Sequence, residues 1–324
     1  MKALVFEQVG HPKEVLQIKE LPKPEVGSGK VLIKLIASPI NPSDLMFIRG
    51  LYGIQAQLPA IAGFEGYGII EAVGQGVGLP VGSPAAFVNL GTWAEYVAVP
   101  AHNVMPLPAT IPFEVGAQIF VNPFTAWAML YESGLQAEEW LLLTGGSSTF
   151  AQLVIQMASR KGINVICAVR REGYEDFLLG LGAKAVINTE KESLPEQVTS
   201  ITKGAMVDCC FDATGGTVAS LALRSLKNKG KMIVYGMMSL KETPVNNGLL
   251  IFKGLTIRGF WLSQWMSETA PSLRQQAAYE IITSFQSGML KVQVTGTFPL
   301  EQVNQAIEAF EREGRSGKIL LVNC

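Results

Sequence analysis

The sequence predicts an α/β chain of two domains, a β-rich barrel-like part in front and a doubly wound parallel sheet behind it. Three observations predict this. Residues 140–172 read as strand, small-residue turn, helix and strand in that order. From about Phe113 onward, helix-like and strand-like segments alternate. Before that point, short β-like runs are broken by Pro and Gly clusters. A length of 324 residues exceeds one average domain and suits two.

In the front part, residues 31–36 (VLIKLI), 68–73 (GIIEAV) and 96–99 read as strands. Between them stand Pro22, Pro24, Gly27, Gly29, Gly74, Gly76, Gly78, Pro80, Gly82 and Pro84. Many short strands with frequent turn residues point to an antiparallel, barrel-like domain.

The stretch 140–172 carries the most chemistry. Leu141, Leu142 and Leu143 form a short apolar run that stops at Thr144-Gly145-Gly146-Ser147-Ser148-Thr149. Leu153, Val154, Met157 and Ala158 then fall on one helical face, Gly162 stands where a helix would stop, and 164–169 reads as a second buried strand. Free N–H groups and the positive end of the helix dipole suit this turn to a pyrophosphate. A dinucleotide fingerprint has three spaced glycines, and here Thr149 or Ala151 stands where later ones are expected. The turn alone therefore leaves an ordinary βαβ crossover open. The second strand, however, ends in Arg170-Arg171, where an NAD site carries an acid for the ribose hydroxyl and arginine suits a 2′-phosphate. The combination favours NADP(H).

Beyond it, helices are expected near 125–133, 174–181 and 218–226, with strands at 185–187, 207–211, 231–235 and 255–260. Strands separated by helices of this length imply right-handed crossovers and a parallel sheet. The tail adds a helix at 272–285, a strand near Val292, a helix at 300–312 and a last strand at 318–322.

Composition excludes several classes. Net charge is −1 with Lys and Arg dispersed, so nucleic acid is not an expected partner. No apolar run approaches the ~18 residues of a membrane span, and the first twenty residues lack the apolar core of a secretory signal. Cys167, Cys209 and Cys210 lie in or beside apolar strand-like runs, and the fourth cysteine is Cys324; this suits buried thiols in a reducing compartment, so a cytoplasmic location is expected. His11 and His102 are far apart, no CxxC exists, and a zinc site needs three or four ligands, so no metal is expected.

Residues 39–68 are the other unusual stretch. Asn41-Pro42-Ser43-Asp44 reads as a turn or helix cap. Tyr52 lies between Gly50 and Gly53, which allows its phenol a close approach to a ligand, though packing is the plainer role for one tyrosine.

With these residues in place, the chain resembles the medium-chain dehydrogenases/reductases. Zinc-dependent members carry a Gly-His-Glu motif; here the stretch reads Gly63-Phe64-Glu65-Gly66, which places the chain with the zinc-free branch. Within that branch it most resembles the mitochondrial-type trans-2-enoyl-thioester reductases, through INPSD at 40–44, LYGIQAQLPAIAGFEG at 51–66, VNPFTAW at 121–127, VIQMA at 154–158, YGMMS at 235–239 and LTIRGFWLSQW at 255–265. The resemblance implies a GroES-like, partly open β-barrel catalytic domain (1–118 and 265–324) and a Rossmann NADPH-binding domain (119–264).

It also implies roles. Tyr52 maps onto the catalytic tyrosine, and Asn41 and Trp261 are expected in the nicotinamide and substrate pocket. Cofactor contacts fall on Asn122, Ser147, Ser148, Thr149, Phe150, Arg170, Arg171, Tyr235, Gly236, Met237, Met238, Phe260, Trp261, Leu262 and Lys318. Arg170 matches the leading arginine of the family, whereas Arg171 and Glu172 depart from its Arg-acid-Arg order. The implied reaction delivers hydride from NADPH to C3 of an enoyl thioester and a proton to C2. A phenol, ordinarily titrating near 10, is a suitable donor for that proton. The acyl carrier would be CoA or acyl-carrier protein, and a homodimer is the family expectation. Quinone reductases of the same branch share the NPSD-like and GFEG-like segments, so an NADPH-dependent quinone or enone reductase is the alternative, and a non-catalytic NADPH-binding protein a third.

Overall fold

The computed structural model describes residues 1–323. In chain order the strands are β1 (Lys2–Phe6), β2 (Gln17–Glu20), β3 (Lys30–Pro39), β4 (Ala60–Ile61), β5 (Glu65–Val73), β6 (Pro84–Val88), β7 (Tyr96–Pro100), β8 (Val104–Pro106), β9 (Trp140–Leu143), β10 (Asn164–Val169), β11 (Ala185–Asn188), β12 (Val207–Asp212), β13 (Leu226–Val234), β14 (Thr256–Gly259), β15 (Val294–Pro299) and β16 (Lys318–Val322). The chain forms two compact units, Met1–Asn122 with the segment from Ile282 onward, and Pro123–Ile281.

The first unit is built around β3. On one side β3 pairs antiparallel with β5; on the other its first half pairs with β7 and its last residues with β16. The ladder with β5 carries one bulge at Glu71 of β5 and one at Ile36 of β3, and bulges bend the strands that hold them. The ladder β15-β16-β3-β5-β6-β8 is antiparallel apart from the parallel pair β15–β16, and a small sheet β2-β1-β4 accompanies it. The tail joins through β16, so the C-terminal strand is structurally part of the front sheet. Phe6, Phe47, Trp93 and Ile307 meet in a core sealed from water.

The second unit is a parallel sheet in the order β11-β10-β9-β12-β13-β14. Renumbered from its own first strand this is 3-2-1-4-5-6, the order of a dinucleotide-binding fold. All six residues of β10 are buried, as expected for a strand covered by helices on both faces. The crossover helix Thr149–Arg160 ends at Gly162, whose φ of +72° suits glycine. Gly162 N–H donates to the Ser159 carbonyl (3.1 Å) and Ile163 N–H to the Ala158 carbonyl (3.0 Å), a Schellman closure.

The sequence expectation puts the boundaries at 118 and 265, whereas the compact units divide at 122 and 282. Helix Leu262–Glu268 and most of Pro271–Gln286 group with the parallel sheet. Trp127 explains why: its indole N–H donates to Glu280 Oε2 (2.7 Å), and its ring meets Trp265 edge-on at 6.2 Å. Among the described residues no helix is long and apolar enough to cross a membrane.

Candidate active site

The cofactor residues expected in the second unit come from four separate strands, and the parallel sheet brings them to one edge. Ser147 to Phe150 follow β9 through a short turn, Arg170 and Arg171 follow β10, Tyr235 to Met238 follow β13, and Phe260 to Leu262 follow β14. All lie at carboxyl ends, where open α/β sheets bind their ligands. Phe260 N–H donates to the Val234 carbonyl (2.8 Å), which fixes the last of these segments beside the third.

The turn after β9 is narrow for identifiable reasons. A Cβ on Gly146 would stand 2.8 Å from Cys167 Cβ, closer than real Cβ atoms come, so β10 leaves room only for glycine. Gly145 has φ +60°. Ser148 is the N-cap of helix Thr149–Arg160, its hydroxyl accepting from Ala151 N–H (3.2 Å). The same hydroxyl is hydrogen-bonded with the Tyr235 phenol. Burial pushes that phenol well above its ordinary range, so it stays protonated. The Tyr235 ring lies 4.2 Å from that of Phe150, centroid to centroid. The turn, the capped helix and the Tyr235 segment are thus one connected wall, and the small-residue turn at a helix start fits a pyrophosphate.

Arg170 is exposed and Arg171 half-buried at the end of β10. The neighbouring Glu172 pairs with Lys191 on the turn after β11. Both members are largely exposed, so the pair adds little stability. Trp261 is the N-cap of helix Leu262–Glu268 and is 39% exposed.

In the first unit the structure brings Asn41 and Lys318 together in a setting that sequence reasoning missed. Asn41 caps helix Pro42–Ile48, and its backbone N–H donates to Asp44 Oδ2 (2.7 Å). Its side-chain amide is held at both ends: Lys318 Nζ donates to Oδ1, and Nδ2 donates to Glu65 Oε1 (2.8 Å). Glu65 Oε2 accepts from Val121 N–H (2.8 Å), next to the expected cofactor residue Asn122. None of Asn41, Asp44, Glu65 and Lys318 is more than 3% exposed. Desolvation dominates their titration: it raises Asp44 to about 8, raises Glu65, and lowers Lys318 to about 8. Asp44 Oδ1 is buried without a hydrogen bond of normal geometry, which suits a protonated acid better than a carboxylate.

Tyr52 lies in the loop between helix Pro42–Ile48 and β4, half-buried. Its ring is 5.1 Å from Phe64, which in turn is 5.2 Å from Phe47. An aromatic stack therefore supports one face of the tyrosine.

Two family models match the chain. One, described as an alcohol dehydrogenase GroES-like domain, covers residues 27–109; the other, described as a zinc-binding dehydrogenase, covers 151–278. The mitochondrial enoyl-[acyl-carrier-protein] reductase of Bos taurus is 32% identical over 99% of this chain and 88% of its own length. That of Arabidopsis thaliana is 34% identical over 98% and 87%. The structure of Escherichia coli quinone oxidoreductase complexed with NADPH superposes with a TM-score of 0.93, at 27% identity and full coverage of both chains. Zinc does not fit the residues present: Phe64 fills the histidine place with hydrocarbon, and among the described residues no three His, Cys, Asp or Glu side chains group to hold a metal.

Proposed function

The chain belongs to the medium-chain dehydrogenase/reductase family, and from that premise we propose that it reduces the 2,3 double bond of trans-2-enoyl thioesters with NADPH. The coarser statement is common to both readings of the family: the chain is an NADPH-dependent oxidoreductase. The observation that carries the finer one is the likeness to enoyl-[acyl-carrier-protein] reductases, which runs through both halves of the chain, together with a tyrosine standing on an aromatic floor in the loop after the NPSD helix.

When bound, NADPH supplies the hydride that reduces C3. The chain's own residues do the rest. The turn at 145–148 and the start of helix Thr149–Arg160 receive the pyrophosphate, and Arg170, with Arg171 beside it, takes the 2′-phosphate. Apolar Phe260, Trp261 and Leu262 exclude water from an acyl chain. Tyr52 O–H donates the proton to C2 as charge leaves the thioester oxygen, and solvent restores it afterward. The Phe64–Phe47 stack limits the rotamers open to the phenol, which keeps the donor in one place.

A second reading, reduction of quinones, has its own support in the likeness to the Escherichia coli quinone oxidoreductase. Tyr52→Phe separates the two. Crotonyl and hexenoyl thioesters, on CoA and on acyl-carrier protein, are assayed with NADPH beside a free enone and 1,4-quinones. The expected result is thioester turnover in the wild type and a loss of about 10²-fold in kcat/KM in the variant. A thioester kcat/KM that stays within about threefold removes Tyr52 from the mechanism, and turnover of quinones alone gives the second reading.

A further inference from the structure

Asp212 is a wholly buried carboxylate that the proposed chemistry does not use. It ends β12, the strand beside β9, so it stands where the strand order reverses and the crevice opens. Oδ1 accepts from Thr144 Oγ1 (2.6 Å), Thr214 Oγ1 (3.0 Å) and Thr214 N–H (3.2 Å). Oδ2 accepts from Gly215 N–H (3.0 Å). Thr144 Oγ1 in turn accepts from Ala213 N–H (2.9 Å). The same short segment fastens the loop after β13: Tyr235 N–H donates to the Asp212 carbonyl (2.9 Å), Met238 N–H to that of Ala213 (3.0 Å) and Ser239 N–H to that of Thr214 (2.9 Å).

Loops at the ends of three strands are therefore tied to one side chain and its neighbours, just where regular strand pairing stops. The lone pairs of this acid are committed within the protein, which leaves them unavailable to a ligand. Four donors occupy them here. Gly145 shows how closely the walls approach: a Cβ there would touch Ala213 Cβ at 3.5 Å and Met238 Sδ at 3.7 Å.

We propose that Asp212 and Thr144 form a positioning lock for NADP(H), holding the loops at 144–148, 212–215 and 235–239 at the separation the dinucleotide requires. The inference rests on the reading that the chain binds NADPH. The bond between Thr144 and Asp212 is the part to cut, because it joins the turn after β9 to the carboxylate. Thr144→Val keeps shape and removes the hydroxyl, taking one of three donors from Asp212 Oδ1 and leaving the N–H of Ala213 unpaired. Thr144→Ser keeps the hydroxyl.

NADPH affinity is read by fluorescence titration without substrate, and KM for NADPH and kcat by steady-state turnover of whichever acceptor the wild type reduces. The expected result for Thr144→Val is a Kd and KM for NADPH raised about tenfold, the size of one charge-assisted hydrogen bond, with kcat at saturating NADPH within about threefold. Thr144→Ser returns both to within about twofold. A Thr144→Val protein that melts lower yet binds NADPH as the wild type does would overturn the lock and leave an ordinary structural contact. A drop in kcat with KM unchanged overturns it as well. Asp212→Asn, which sets an amide N–H against that of Gly215, is expected to act more strongly in the same direction, and the Thr144 pair decides the matter if it does not fold. A wild type that fails to bind NADPH overturns the cofactor reading instead, so the two failures are distinct.

Discussion

Replacing Glu65 by glutamine removes one charge and almost no volume, and the buried cluster of the first unit turns that change into a defined pattern. Glutamine offers one acceptor and one donor where glutamate offers two acceptors. If its oxygen stays on Val121 N–H, its amide N–H₂ faces the N–H₂ of Asn41. Flipping Asn41 relieves that clash but turns the same group on the Lys318 ammonium. Either way donors oppose each other where nothing is more than 3% exposed. Lys318 also loses the carboxylate that holds its pKa up, while Asp44, raised to about 8, is mostly protonated and a poor substitute.

Stripping one partner from a buried pair costs about 3–5 kcal/mol, a drop of roughly 4–7 °C in Tm at this chain length. The pH dependence has a sign. Lys318 already titrates below its unfolded value, and the loss of Glu65 lowers it further. Between the folded and unfolded values the unfolded chain binds the extra proton, so stability rises with pH there. The variant is thus most impaired near pH 6 and less so near pH 9.

The decisive step is the charge swap, in which Asn41→Asp is combined with Glu65→Gln. The new amide at position 65 then donates to the new carboxylate at position 41 and accepts from Val121 N–H. That carboxylate accepts from Lys318, so net charge and bond count are both restored. Thermal melts and urea titrations of the wild type, both single variants and the double are the assay. The double is expected within about 1 kcal/mol of the wild type, with each single well below it. A double no more stable than the sum of the singles predicts would refute the clamp, since only a direct bond between these side chains yields rescue.

Two further outcomes follow from named groups. Arg170→Ala should raise KM for NADPH at least tenfold while leaving that for NADH within about twofold, because only the 2′-phosphate loses a partner; an unchanged NADPH-to-NADH ratio removes Arg170 from cofactor selection. Asp44→Asn tests the buried proton. The folded pKa of Asp44, about 8, lies above its ordinary value of 3.8, so its cost is absent at low pH and grows as pH rises through that window. Urea titrations should therefore find the variant close to the wild type at pH 4 and more stable by up to a few kcal/mol at pH 8; an identical pH slope in both proteins sinks the assignment.

Elements with a strong local pattern were legible in the sequence. The apolar run 165–169 in β10 and the glycine at 162 mark a covered strand and a helix end, because burial on both faces and a positive φ each admit few residue types. Helix Pro42–Ile48 was only half legible: NPSD reads as a cap, but the seven-residue helix behind it carries no repeating face. Short strands such as β2 and β8 escaped for the same reason. The clusters at Glu65 and Asp212 were not legible at all. Asp44, Glu65 and Lys318 lie far apart in the chain, as do Thr144 and Asp212, and nothing in their spacing says that strands bring them into contact. Glu65 entered the sequence reading only as the neighbour of Phe64.

The degraded glycine pattern of the cradle can now be sorted by what each position requires. Gly146 is fixed by sterics, since β10 passes too close for any side chain, and Gly145 by its backbone angle. Thr149 and Ala151, where later glycines are expected, both lie in the helix Thr149–Arg160 and need no positive φ. Ser148 has ordinary extended backbone angles, and its hydroxyl is bonded to Ala151 N–H and the Tyr235 phenol. Ala151 is sealed in the helix–sheet interface, where a methyl fits. A count of glycines weighs all these positions alike, which is why the turn looks weak in sequence. Their chemistry does not: the two glycines that geometry demands are present, and Ser148 ties the helix start to the loop after β13. That bond and the backbone bonds from the Asp212 segment reach the same loop, so the wall of the crevice is held by contacts that a count of glycines does not register.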